Sequence, residues 1–145
     1  MKITEHFTWE ELTCSDTAVR KGIDNNPGEQ EKENIEWLCK KILEPVRFHK
    51  GPVIITSGYR SPKVNSLIGG SATSQHCFGQ AADIVVPAMT IEELFQWIIN
   101  DTQLPFDQCI QEYGRWVHLS YSRDRQRKQA LRAVLEGGKT RYVVA

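Results

Sequence analysis

The sequence predicts an α+β fold with a mainly antiparallel sheet and helices packed on one side of it. Three observations support this prediction: helical periodicity in the first third of the chain, short strand-like runs after residue 51, and tight turns between the last four strands. Parallel strands need long crossover connections, so strands that are joined by tight turns are expected to pair antiparallel.

Size and composition favour a single globular domain. The chain has 145 residues, which suits one hydrophobic core, and we expect an N-terminal helical arm (1–50), a catalytic core (51–122) and a C-terminal hairpin (123–145). The 18 lysines and arginines equal the 18 aspartates and glutamates, so no net field favours nucleic acid or an anionic membrane. We therefore expect neither of these partners, and we expect the protein to be a monomer.

The chain shows no export or membrane segment. Met1 to Phe7 lack the continuous apolar run of a signal peptide, and no later segment approaches the roughly 18 apolar residues of a membrane span. We therefore expect synthesis in the cytoplasm. Without an export signal, reduced core thiols are expected for the four cysteines, which are Cys14, Cys39, Cys77 and Cys109.

The first third of the chain is predicted to be helical. Thr8 is followed three residues later by Glu11, a capping box for a short helix in the N-terminal arm. Apolar residues at helical spacing predict the main amphipathic helix over 29–49, with Pro45 disturbing its last turn. The β-branched run at 53–57 then predicts a buried strand.

The middle of the chain alternates a helix, a strand and a helix. A proline at the first helical position predicts a short helix over 62–68, and residues 69–74 are a loop. Residues 82–86 predict a second strand that a proline closes. A second capping box, formed by Thr90 and Glu93, begins a helix that runs to about residue 100.

The last third of the chain predicts two hairpins. Strands at 108–112 and 116–121 are separated by Tyr113-Gly114-Arg115, which suggests a hairpin turn. Residues 129–135 and 140–144 surround a pair of glycines and predict a second hairpin rather than a helix.

Three residues form a candidate metal site. His76 and Asp83 lie seven positions apart across a glycine and two alanines, and small residues let two chain segments approach one ion. A catalytic zinc takes about three protein ligands and leaves a fourth position to water. His118, in an otherwise apolar strand, is the third candidate. By itself this spacing does not separate a metal site from three structural residues.

The wider pattern is more specific. It reads S-x-H-x-x-G-x-A-x-D, followed about 35 residues later by W-V-H. This resembles the metal-binding signature of the zinc D-Ala-D-Ala carboxypeptidase family, in particular its small single-domain phage and bacterial members. The hedgehog signalling domain shares their fold. The resemblance includes 57–60 and 65–70, extends from about 7 to 121, and implies Zn²⁺ on His76, Asp83 and His118.

The resemblance also implies that Arg60 binds a substrate carboxylate. The residue itself fits this role, because Arg60 follows a predicted strand end and a planar guanidinium pairs with a carboxylate through two hydrogen bonds. Ser74 and Tyr59 lie beside these residues and either bind substrate or only shape their loops.

The candidate general base departs from a pattern found in several relatives. Several relatives carry an acidic residue three positions before the last histidine, where this chain has Arg115, which cannot accept a proton at neutral pH. Glu112 matches the acidic residue of the hedgehog-like and single-domain variants. A three-residue hairpin loop would place Glu112 opposite Trp116, on the face of His118, whereas a two-residue loop would turn it to the other face.

The resemblance implies a zinc metallopeptidase that hydrolyses peptidoglycan stem peptides, as D-Ala-D-Ala carboxypeptidase or as L-Ala-D-Glu endopeptidase. An endolysin-like protein of this kind, without an export signal, would act on the cell wall after release or lysis. The alternative is a catalytically silent zinc module that binds peptidoglycan or belongs to a phage particle. Arg115, in place of the acidic residue, keeps that alternative open.

Overall fold

A computed structural model describes residues 1–145 and contains one six-stranded sheet flanked by helices. The helices are α1 (Trp9–Thr13), α2 (Asp16–Lys21), α3 (Glu29–Leu38), α4 (Glu44–Lys50), α5 (Pro62–Leu67) and α6 (Ile91–Asp101). The strands are β1 (Ile54–Ser57), β2 (Ala81–Val85), β3 (Gln108–Glu112), β4 (Trp116–Ser120), β5 (Gln129–Glu136) and β6 (Lys139–Val144).

The sheet has the order β1-β2-β4-β3-β5-β6 and is mainly antiparallel. Only β3 and β5 pair in parallel. The predicted α+β class is therefore confirmed, and the predicted strands are found within one or two residues of their expected bounds. None of the helices combines the length and the apolar character that a membrane span requires.

The main helix is interrupted just before its proline. A π-helical turn, Cys39–Leu43, joins α3 to α4, and Pro45 is the second residue of α4. Proline has no N–H to donate, and its ring clashes with the carbonyl four residues earlier in a regular helix. A wider turn relieves this conflict, so the disturbance that Pro45 was expected to cause lies one turn earlier than predicted.

The hydrophobic core lies between the helices and one face of the sheet. Side chains alternate along a strand, so residues such as Ile84, Val117 and Leu119 point to this face and pack with α3 and α6. Full burial of each such side chain contributes roughly 1.5–3 kcal/mol. The other face of β2 and β4 is therefore free to hold polar side chains. Of the four cysteines only three are buried, and Cys14 is exposed, contrary to expectation.

The β3–β4 hairpin has the three-residue loop that puts Glu112 opposite Trp116. Tyr113 and Gly114 both have positive φ, 59° and 70°, and the Arg115 N–H donates to the carbonyl of Glu112 at 2.9 Å. Two consecutive positive φ values are typical of the turn type that follows the twist of a hairpin.

The connection between β4 and β5 is not a tight turn, which corrects one sequence expectation. Residues 121–128 lead the chain past the end of β3, so that β5 lies beside β3 in parallel register and Gln108 pairs with Gln129. Backbone hydrogen bonds hold the link at that end: the N–H of Lys128 donates to Phe106 at 3.2 Å, and that of Gln129 to Asp107 at 2.9 Å. The tight turn expected between β5 and β6 is present at Gly137 and Gly138.

Candidate metal centre

His76, Asp83 and His118 converge on one point of the sheet face that lies opposite the core. Their candidate ligand atoms all lie within 4.8 Å of one another. The three residues are 2%, 6% and 9% exposed, respectively. The structure thus brings together three residues that the sequence separates by up to 42 positions.

Local structure explains this convergence. Asp83 in β2 pairs directly with His118 in β4, and paired residues of antiparallel strands point to the same face. His76 lies in a short 3₁₀ helix, Gln75–Phe78, just before β2. This helix packs tightly on α3, because a Cβ at Gly79 would lie 2.5 Å from the Glu31 carbonyl oxygen.

Hydrogen bonds orient the two imidazoles. His76 Nδ1 lies 2.8 Å from the carbonyl oxygen of Gly58, which can only accept, so Nδ1 carries the proton and Nε2 keeps a lone pair. That Nε2 atom lies 3.3 Å from Asp83 Oδ1. His118 Nδ1 lies 3.1 Å from the same oxygen. One nitrogen of each ring therefore faces one carboxylate oxygen.

Two of the three separations, those from Asp83 to the imidazoles, are close to those of a tetrahedral zinc site, and all three lie within 4.8 Å. With Zn–N and Zn–O bonds of about 2.0–2.1 Å and tetrahedral angles, neighbouring ligand atoms are about 3.3 Å apart. The observed 3.1 Å and 3.3 Å lie close to that value. The backbone acceptor on His76 also matches the outer hydrogen bond that fixes the ring of a metal-bound histidine.

The electrostatics of the cluster favour its metal-binding protonation state. Burial lowers the pKa of His76, although Asp83 opposes this shift. Burial alone would raise the pKa of Asp83, but its contacts with His118 and His76 outweigh burial and hold that pKa below its ordinary range. A neutral imidazole and an ionised carboxylate are the forms that bind a cation.

Glu112 lies on the same face as the cluster, one strand beyond His118. Burial raises the pKa of its carboxyl, while the nearby His118 and Arg60 charges and a hydrogen bond from Trp116 act in the opposite direction. Trp116 Nε1 donates that bond to Glu112 Oε1 at 2.6 Å. The second carboxylate oxygen has no protein partner and remains free to accept a proton.

Arg60 borders a cavity between β1, α5 and the N-terminal arm. Its Nε atom is buried and has no hydrogen-bond partner in the protein. The polar side chains of Ser57 and Ser15 line the same cavity, as do the acidic side chains of Glu11 and Asp16. A buried donor without an acceptor is costly, so a ligand that offers an acceptor is favoured at Arg60.

Ser74 and Tyr59 have structural contacts. Ser74 Oγ accepts a hydrogen bond from the His76 N–H at 3.2 Å and caps the 3₁₀ helix. Tyr59 is buried within the hydrophobic core, and its N–H donates to the Leu12 carbonyl at 2.7 Å. These contacts favour the loop-shaping alternative for both residues.

Asp107 is a residue to which sequence reasoning gave no role. Its carboxylate is fully buried and accepts hydrogen bonds from Arg127 Nε at 2.7 Å and from Gln75 Nε2 at 3.0 Å. Gln75 directly precedes His76, so Asp107 joins the link between β4 and β5 to the turn that carries a candidate ligand. Asp107 and Arg127 lie 20 positions apart, so no regular spacing in the sequence predicts their pairing. The available signal is that Arg125 and Arg127 lie close to the start of a predicted strand.

Fold and site together define an α+β protein with a three-ligand candidate metal centre on its sheet. A family model described as Peptidase M15 matches residues 5–120. The chain belongs to the peptidase M15 family, and its resemblance to zinc D-Ala-D-Ala carboxypeptidases is confirmed at the level of the family. None of the curated proteins compared with the chain matches it. The family match ends at the end of β4, so β5 and β6 lie beyond it.

Proposed function

We propose that this protein is a zinc peptidase that hydrolyses peptide bonds in the stem peptides of peptidoglycan. One observation carries the proposal: in a member of a peptidase family, two imidazole nitrogens lie 3.1 Å and 3.3 Å from one carboxylate oxygen. His76, Asp83 and His118 would hold the Zn²⁺, and the fourth position would remain open, as in catalytic zinc sites.

Glu112 is proposed as the general base and acid. A bound zinc ion supplies Lewis acidity, which makes water more acidic and a peptide carbonyl more electrophilic. Glu112 takes the proton of the attacking water and returns it to the nitrogen of the leaving amine. Its raised pKa supports this role, because a base with a pKa nearer neutrality transfers a proton in both directions more readily.

Arg60 is proposed as the anchor for a carboxylate of the substrate. The guanidinium stands at the β1 side of the cluster, and its buried unpaired Nε supports an anionic partner. A carboxylate held there fixes the peptide relative to the metal centre. Ser74 and Tyr59, also proposed as substrate contacts, would act mainly by holding the loops around Arg60 and His76.

The choice of stem peptides as substrate rests on the likeness to D-Ala-D-Ala carboxypeptidases. Both candidate bonds, D-Ala-D-Ala and L-Ala-D-Glu, lie in peptides with free carboxylates, which suits an arginine anchor. We propose endolysin-like action on the wall after release or lysis.

The decisive experiment incubates the purified protein with muropeptides, with added zinc and with a chelator, and identifies the products by mass spectrometry. We expect cleavage with zinc and none with chelator, and the product masses distinguish the two bonds. Protein that retains one zinc per chain yet leaves every muropeptide intact would contradict the proposal and favour the catalytically silent module.

A further inference from the structure

A single hydrogen bond holds the side chain of the proposed general base. Trp116 Nε1 donates to Glu112 Oε1 at 2.6 Å, and no other hydrogen bond or ion pair in the protein involves this carboxylate. Glu112 and Trp116 are lateral neighbours across the β3–β4 hairpin, so their side chains lie on the same face of the sheet. A glutamate side chain is flexible, so without this donor the carboxylate would occupy several rotamers.

The indole fixes this carboxylate without neutralising it. An indole N–H only donates and carries no charge. A lysine or arginine in its place would form an ion pair, which would stabilise the ionised carboxylate and weaken it as a base. Trp116 occupies one oxygen of Glu112, so the other oxygen is left to take and return a proton.

Tyr113 holds the ring of Trp116 in place. The two rings pack edge-on, with centroids 5.8 Å apart and planes at 71°, which is a favoured geometry for aromatic pairs. Tyr113 also packs on the apolar cluster of Ile110, Leu131 and Ala133. Its N–H donates to the Ala133 carbonyl at 3.0 Å. The tyrosine is therefore held by its backbone as well as by its ring.

The C-terminal hairpin completes this arrangement. The Tyr113 hydroxyl forms a hydrogen bond with the hydroxyl of Thr140 in β6. Thr140 pairs with Leu135 of β5, close to the turn between the two strands. The family match ends at residue 120, so this contact comes from a segment that the match does not include. Side-chain contacts thus run from β6 through Tyr113 and Trp116 to Glu112.

We propose that Trp116 is a positioning residue for Glu112, and that the C-terminal hairpin supports it through Tyr113. A general base must lie within hydrogen-bond reach of the proton that it takes. A carboxylate that is held in one rotamer meets this requirement in a larger fraction of molecules than a mobile one. The inference rests on the proposed peptidase function, and it gives a segment outside the family match a part in turnover.

A double-mutant cycle on the cleaved muropeptide tests the role of Trp116. Trp116→Phe removes the donor and keeps an aromatic ring, so kcat is expected to fall about tenfold with KM and zinc content unchanged. In a Glu112→Gln background the same substitution should change kcat less than about twofold, because an amide cannot take the proton wherever it is held. Trp97→Phe is the control, since that ring lies against His49 and Lys50, and it should match wild type.

Two conservative variants test the contribution of the hairpin. Thr140→Val and Tyr113→Phe each remove one hydroxyl of the same hydrogen bond, and each should lower kcat about two- to threefold. The double variant should lose no more than either single variant, because both changes remove one interaction. Wild-type kcat in both single variants would overturn the role of the hairpin.

Several outcomes would overturn the positioning role of Trp116 while leaving the peptidase function intact. An equal loss of kcat in both backgrounds would show that Trp116 acts independently of Glu112. A rise in KM alone would indicate contact with the substrate, and loss of zinc would indicate support of the metal ligands. Unchanged kinetics in Trp116→Phe would remove the residue from the mechanism altogether.

If the wild-type protein cleaves no muropeptide, the proposed function fails, and NMR decides the positioning of Glu112 by itself. The indole N–H signal of Trp116, identified by its loss in Trp116→Phe, should lie downfield of the other indole signals and move upfield in Glu112→Ala. Its hydrogen exchange should be faster in Tyr113→Phe than in wild type. A signal that does not respond to removal of the carboxylate would overturn the contact, and exchange at the wild-type rate would overturn the support from the hairpin.

Discussion

Asp83 and Asp107 are both buried aspartates, but they have different partners. Asp83 meets two imidazole nitrogens at 3.1 Å and 3.3 Å. Asp107 meets the forked guanidinium of Arg127 through bonds of 2.7 Å and 2.9 Å. Both carboxyls have lowered pKa values, because their contacts with these partners outweigh the effect of burial.

Burial of a carboxylate does not by itself define a functional site. An imidazole can give up a proton and present a lone pair, so two of them beside a carboxylate make a ligand set. A guanidinium offers only donors and keeps its charge, so Arg127 can pair with Asp107 but cannot bind a cation. The first aspartate suits a metal centre and the second a structural cluster.

The matched pair Asp83→Asn and Asp107→Asn should produce the largest difference. Asp83→Asn removes the anionic ligand, so tightly bound zinc should fall from one per chain to none, and peptide hydrolysis should fall to background. Asp107→Asn should retain its zinc. Elemental analysis after dialysis measures both. Full zinc occupancy in the Asp83 variant would show that Asp83 is not a zinc ligand.

Glu112→Gln tests the proposed general base. Glu112 is the acidic residue beside the cluster, and its hydrogen-bond donor is the neutral indole of Trp116. The amide keeps the shape but cannot accept a proton, so turnover should fall roughly 10²–10⁴-fold with zinc retained. Steady-state kinetics with the cleaved muropeptide measures this. Turnover at the wild-type rate would remove Glu112 from the mechanism.

Arg127→Ala tests the proposed structural role of the Asp107–Arg127 pair. It leaves Asp107 with Gln75, the backbone N–H of residue 127 and Arg125 at 3.5 Å, so the loss is that of the guanidinium hydrogen bonds, about 1.5–3 kcal/mol of unfolding free energy. Arg141→Ala is the control, because the Arg141–Glu136 pair is 63% and 62% exposed and such pairs contribute about 0–1 kcal/mol. Urea unfolding in the presence of chelator measures both. Similar losses in the two variants would contradict the structural role of Asp107.

Arg60→Lys should have the smallest effect of the four. Zinc content and unfolding free energy should stay unchanged, while kcat/KM on carboxylate-bearing peptides falls about tenfold, because an ammonium cannot form the paired hydrogen bonds of a guanidinium. A substrate that lacks the carboxylate serves as the control and should be cleaved equally by both proteins. An unchanged kcat/KM would place the anchor elsewhere.

Local patterns predicted most of the fold, whereas the residues of the candidate site were predicted from the family resemblance. Hairpin loop length put Glu112 on the face of His118, and the register of β3 and β4 agrees with that prediction. The parallel β5 was not predictable, because its position depends on backbone contacts at 106 and 107 that only the folded chain creates. The ion pair between Asp107 and Arg127 was not predicted for the same reason. The π-helical turn before Pro45 relieves a steric conflict that the proline causes. The sequence predicts the conflict but does not specify where along the helix it is relieved.

Gly58 has a consequence for mutational tolerance. Its carbonyl orients His76 at 2.8 Å, and a Cβ at this position would lie 2.4 Å from the Leu12 carbonyl oxygen. Any side chain there must push α1 away or shift the carbonyl that selects the His76 tautomer. In a saturation library sorted for metal retention, position 58 should therefore be as depleted of variants as the ligand positions, although no atom of Gly58 would touch the ion.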